Sequence, residues 1–123
     1  MSTVTLRFAP AVEHVRTARL IAVAVARRAG LEESRLDDVR LAVGEVCARA
    51  VRRCQERMVR GAVLLEIDDE GPWLEVSVTD QAGGEPVVEE EIGWALVKGL
   101  TDAASVLPGP GGSGGLVRLT WTR

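Results

Sequence analysis

A change of hydrophobic period runs through this chain and leaves it few folds to adopt. From Val12 to Ala50 the apolar residues recur every three or four positions, the spacing of one face of a helix. Over VLLEID (63–68), LEVSVTD (74–80) and LVRLTW (116–121) the period drops to two, the spacing of half-buried strands. VTLRFA (4–9) alternates in the same way, with Val4, Leu6 and Phe8 on one side. Strands with one apolar side and long helices with one apolar stripe bury both by stacking in layers.

The first helix is marked by Val12, Val15, Ala18, Ala22, Val25 and Ala29, and Gly30 supplies a left-handed stop. Ser34 followed by Asp37 resembles a capping box and predicts the start of a second helix. Its inward stripe is Leu36, Val39, Val43, Val46, Cys47 and Ala50, with Glu45 and Arg49 on a flank shared with Leu41. Residues 63–68 and 74–80 form a hairpin turning at DEGP, followed by a loop with an acidic end, QAGGEPVVEEE (81–91). IGWALVKGLTD (92–102) reads as a short buried helix and PGPGGSGG (108–115) as a loop before the closing strand. The order is β-α-α-β-β-α-β, without an internal repeat. It predicts one domain over 1–123: an α/β (α+β) two-layer sandwich, its mixed four- to five-stranded sheet carrying helices on one face.

At 123 residues, 46% apolar and 27% charged, the chain can bury a core of its own. LIAVAVA (20–26) is too short to span a bilayer and is flanked by arginines. MSTVTLRFAP has neither the basic start nor the apolar stretch of a signal peptide, so the cytoplasm is the expected compartment. Cys47 and Cys54 lie seven apart on one helix, about 10 Å along its axis and beyond disulfide reach. With a single histidine, His14, they make no zinc site; they read as small buried hydrophobes, and His14 as a surface residue. The net charge of −3 is unevenly spread: residues 1–60 carry twelve Arg against seven acids, residues 61–123 three cations against eleven acids. The arginines alternate with acids and lack interleaved aromatics, which argues against nucleic acid and for a polar helix face or a protein-docking surface.

GPGGSG (109–114) spells a G-x-G-x-x-G, but it precedes a strand instead of joining a strand to a helix, so it is no dinucleotide site. The P-loop, H-E-x-x-H and G-x-S-x-G signatures do not occur. What remains is a constellation in a fixed order. Glu45 lies on the second helix, Asp80 ends a strand with Gly83 and Gly84 behind it, and Gly93 opens the third helix. With LDDVRLAVGEVCARAV before them and GGLVRLTW after, these residues resemble the GHKL (Bergerat-fold) ATPase superfamily, in particular its anti-sigma-factor serine/threonine kinase branch. The likeness runs from VTLRFAP to LTWTR.

The resemblance implies an ATP site. The family's helix carries a general-base glutamate and, four residues on, an asparagine that binds Mg²⁺ through oxygen. A strand-ending aspartate accepts a hydrogen bond from the adenine amine, glycines behind it admit the nucleotide, and a glycine-containing lid covers the phosphates. A threonine before the last strand supports the aspartate. Carried over, Glu45 is the base, Asp80 reads the adenine, Gly84 is the later glycine and Gly93 the last glycine of the lid motif. Four positions depart: Arg49 replaces the asparagine, Ala82 and Glu91 replace glycines, and Gly115 falls where the threonine is expected.

Arginine has five donors and no acceptor and stays charged, so it cannot ligate Mg²⁺. At i,i+4 it is also placed to hold Glu45 and lower its basicity. The acids 89–91 stand where a lid would cover triphosphate, and at roughly 7 Å in water each charge pair repels by about 0.6 kcal/mol. The expectation is a site without catalytic or metal-ligating residues, Glu45 being a vestigial base, with no cofactor required and Mg²⁺ absent. If ATP does bind, Asp80, Gly84 and Gly93 would contact it, and Arg49 could touch a phosphate.

Two functions compete. One is a regulatory protein that docks a sigma factor, a STAS-type anti-sigma-factor antagonist, or both; the resemblance adds a homodimer, and neither nucleic acid nor membrane is expected as a partner. The other is a working ATP-dependent serine kinase that phosphorylates the antagonist. A nucleic-acid binder using the arginine-rich second helix is a weaker third.

Overall fold

A computed structural model describes residues 3–83, 92–109 and 115–123. Eight elements follow in order: β1 (Thr3–Phe8), α1 (Glu13–Arg28), α2 (Glu33–Glu56), β2 (Val63–Asp68), β3 (Trp73–Asp80), α3 (Ile92–Leu100), β4 (Ala103–Pro108) and β5 (Gly115–Thr122). The strands form one sheet in the order β1-β2-β3-β5-β4. The predicted two-layer sandwich is what forms, with one correction. Every described pairing is antiparallel, so the sheet is not mixed. Tight turns join β2 to β3, and the α1–α2 excursion brings the chain back beside β1 in the opposite direction.

The strand β4 is new. AASVLP carries little β propensity and alternates weakly, so it gives no period-two signal. It forms at the sheet edge by pairing with β5, and Pro108 ends it where a central strand could not tolerate a missing N–H.

Period two holds along the central strands. Val63, Leu65 and Ile67 of β2, Leu74, Val76 and Val78 of β3, and Val117, Leu119 and Trp121 of β5 are buried on the helix side. Trp121 satisfies its indole N–H by donating to the Leu100 carbonyl at 2.9 Å. Each such aliphatic side chain withdrawn from water stabilises the fold by about 1.5–3 kcal/mol. The same parity turns Asp80, the last residue of β3, inward beneath α2.

Both helix stripes are found, with corrections at the ends. Val12 is exposed, because it caps α1 from outside the packed face. Residues 34 and 37 make no capping box: the N-cap is Glu32, without a side-chain cap bond, and Glu33 is already helical. Gly30 does close α1, at φ +93°, with the Leu31 N–H donating to the Ala26 carbonyl and the Gly30 N–H to that of Arg27. Helix α2 packs against α1, α3 and β3, which leaves its C-terminal half little open surface. None of the described helices is long and apolar enough to cross a membrane.

Candidate functional site

Two groups of polar side chains gather around the C-terminal half of α2. In the first, Glu45 and Arg49 share a cavity of about 10 Å³ with Arg52 of α2 and with Gly93, Trp94 and Val97 of α3. That is room for about one water molecule, far below the roughly 300–1,000 Å³ of most small-molecule sites. Glu45 is half-buried and lies against the first turn of α3: a Cβ on Gly93 would stand only 3.1 Å from its Cδ. Glycine there is what lets the two helices approach. The structure thus brings Glu45, Arg49 and Gly93 together.

Helical spacing places Arg49 off the inward stripe, on a flank that can face a cavity or solvent. It faces the cavity and is 7% exposed, because α3 covers the side of α2 that the stripe leaves free. Glu45 carries none of the described ion pairs, so the expected clasp between Glu45 and Arg49 does not form.

The second group lies one turn further along α2. Arg53 and Asp80 are buried, 8% and 3% exposed, and the Arg53 Nε–H donates to Asp80 Oδ2 at 3.0 Å. A second guanidinium nitrogen, Nη2, donates to the Gly83 carbonyl at 2.7 Å. The other carboxylate oxygen, Oδ1, accepts from the Ala82 N–H at 2.9 Å and from the Gly115 N–H at 3.2 Å. Gly115 pairs with Asp80 in the β3–β5 ladder, which fixes this last contact through register alone. Gly83 adopts φ +74°, a left-handed conformation that glycine takes without strain and that turns its carbonyl toward α2.

Arg53 is the functional residue that the sequence reading misses. The signal was present. The stripe Val39, Val43, Val46, Ala50 continues at i+3 to position 53, and an arginine on a buried stripe must find an acid. The only inward acid on the strands that α2 covers is the one that β3 parity points there, Asp80. Gly84 and residues 89–91 lie outside the described residues, as does most of the 108–115 loop.

Along α2 the guanidinium groups of Arg49 and Arg53 accompany the Glu45 carboxylate, and a guanidinium has no acceptor with which to ligate a metal ion. Among the described residues no group of three or more His, Cys, Asp or Glu could hold a metal ion. Both cysteines are free and buried. Burial pushes the Cys47 thiol up to about 12, against a smaller opposing pull from Arg19, and burial likewise raises Cys54.

Residues 8–121 match the family described as the histidine kinase-like ATPase domain. Among solved structures, the crystal structure of the RsbU and RsbW domains of Rv1364c from Mycobacterium tuberculosis is similar in fold, with a TM-score of 0.75 at 19% identity. The match covers 99% of this chain and 32% of that one. No curated protein matches.

Proposed function

This chain belongs to the histidine kinase-like ATPase domain family, and we propose that within it the protein is an anti-sigma-factor-like regulator that acts by binding other proteins, its kinase activity lost. The partners would be a sigma factor, a STAS-type antagonist, or both, engaged by a homodimer. The observation that carries this reading is Arg49: a buried cation one turn from Glu45, in the position where phosphoryl transfer needs an oxygen to grip Mg²⁺. Without that ion the charge that develops on a transferring phosphate is not neutralised.

A second observation favours protein binding. On the outer side of the α1–α2 pair, Arg16, Arg19 and Arg40 surround the exposed Leu20 and Leu41 in a shallow groove. Arg40 pairs with Asp37 at 3.0 Å, whereas neither Arg16 nor Arg19 has an ion pair among the described residues. Arg19 is held over the helix crossing because Gly44 leaves room for it: a Cβ at 44 would fall 2.6 Å from its Cδ. Apolar contacts flanked by arginines suit an acidic amphipathic segment of a partner.

The test is transfer of labelled γ-phosphate from ATP to the cognate antagonist, run beside a binding assay with the same protein and the cognate sigma factor. The expected result is a stable complex with at least one of them and no labelling. Rapid labelling of a serine on the antagonist would establish the active-kinase alternative instead.

A further inference from the structure

We propose that Arg53 decides what the Asp80 pocket admits: its guanidinium is a built-in ligand that takes the carboxylate away from any aminopurine base. This deepens the reading above, since it takes Asp80 as the family's base-reading carboxylate, but it concerns the base and not the phosphates or metal.

The acceptor capacity of the carboxylate decides the competition. A carboxylate offers about four lone-pair directions. In this chain Oδ1 spends its capacity on the N–H groups of Ala82 and Gly115, and Oδ2 accepts from Arg53 Nε. The β5 backbone runs close beside Oδ2: a Cβ built on Gly115 would lie 3.2 Å from that oxygen. The same hypothetical atom would lie 3.6 Å from Nη2 and 3.7 Å from Nε of Arg53, so the glycine also makes the room in which the guanidinium sits. A side chain at 115 and a guanidinium at 53 would compete for one space.

A neutral exocyclic amine cannot displace this contact. It would exchange a charge-assisted N⁺–H···O⁻ bond for a weaker neutral one, and it would leave the guanidinium in a buried site without its carboxylate. Arg53 is further anchored on the Gly83 carbonyl, so the loop that leaves β3 is tied to α2 by the same group. The carboxylate is thus held by groups of α2, the β3 loop and β5, whose positions the fold fixes.

The probe is adenosine without metal, titrated into the isotope-labelled protein while the Ala82 and Gly115 amide resonances are followed. The unaltered chain should show no saturable shift at millimolar adenosine. Arg53→Ala should bind at least tenfold more tightly, with shifts at both amides, and Arg53→Ala/Asp80→Asn should lose that gain. Saturable shifts at these amides in the unaltered chain overturn the proposal, and so does a folded Arg53→Ala without gain. Should Arg53→Ala fail to fold, Arg53→Lys decides. Its single ammonium keeps the charge but cannot span Asp80 and Gly83 together, so a severalfold gain is expected and no gain overturns the proposal. Adenosine binding by the unaltered chain without phosphate transfer would sink this inference alone; phosphate transfer would sink the function proposed above.

Discussion

The carboxylate of Glu45 lies against the backbone of Gly93, so near that a Cβ at position 93 would approach its Cδ to 3.1 Å and its Oε2 to 3.3 Å. That closeness couples two residues forty-eight positions apart. Gly93→Ala should therefore cost about 0.5–1 kcal/mol, the crowding outweighing the helix propensity that alanine adds. In a Glu45→Ala background the crowding is gone, and the same change should become neutral or stabilising. Denaturant midpoints of the four proteins in this cycle measure the coupling; identical effects in both backgrounds would show that the contact has no energetic weight.

Arg53 and Asp80 should show a larger coupling. Removing one member of a buried pair strands the other, at about 3–5 kcal/mol. Arg53→Met and Asp80→Leu are each expected to destabilise on that scale. The double variant should cost clearly less than their sum, because no charge remains buried. It should not return to zero, since the Ala82 and Gly115 N–H groups lose their acceptor. Additive losses would mean that the two side chains stabilise the fold independently.

Arg49→Asn separates metal from base. If the missing oxygen ligand were the only defect, the change would bring back Mg²⁺-dependent ATP affinity. The expected result is no such gain, because the Arg53–Asp80 pair is untouched one turn away. Titration calorimetry with ATP, with and without Mg²⁺, reads the outcome directly, and a micromolar Mg²⁺-dependent complex would assign the whole block to Arg49.

These contacts also mark how far the sequence could be read. Alternating and helical periods located β1, α1, α2, β2, β3 and β5, since in each the hydrophobic pattern and the burial agree. The helix expected to be buried over 92–102 ends at Leu100 and buries Trp94 and Val97 while Leu96 is exposed, because only one of its sides meets α2. AASVLP stayed hidden because β4 exists only through its pairing with β5. Asp80 and Glu45 were singled out by the family resemblance, but the partner of Asp80 was not, because the motif carried over says nothing about position 53. For Arg49 the helical wheel left cavity and solvent both open. It finds the main apolar stripe, and it does not reveal that a third helix covers the neighbouring face.

Met58 ends α2 at φ +57°, a left-handed conformation in a residue that is 90% exposed. The Val59 N–H donates to the Cys54 carbonyl and the Met58 N–H to that of Gln55, the closure that glycine makes at the end of α1. A side chain with a Cβ pays about 1–2 kcal/mol for this backbone, partly offset by its lower freedom in the unfolded chain. Met58→Gly should therefore raise stability by about 0.5–1 kcal/mol, since the methionine gives up little packing. A lower melting temperature for the glycine variant would contradict the assignment of strain to this position.

Asp102 joins the end of α3 to the sheet and to α2. Its Oδ2 accepts from the Thr122 N–H at 2.7 Å, and its Oδ1 from Arg35 at 3.2 Å, with Asp38 sharing the same guanidinium at 3.3 Å. The Thr122 N–H above all holds the carboxyl below the usual carboxylate range; burial opposes it, and Arg35 adds to the lowering. Folding thus favours the ionised form. The stabilisation it brings is complete above the ordinary carboxylate value near pH 4 and is lost as pH falls through the lowered one. Because the group is largely exposed, the effect is modest and screened by salt. Asp102→Asn should be less stable than the unaltered protein at pH 6, and the two should converge as the medium is acidified toward pH 2–3. Urea midpoints across that range give the comparison, and a gap that stays constant with pH would mean that ionisation of Asp102 contributes nothing to the fold.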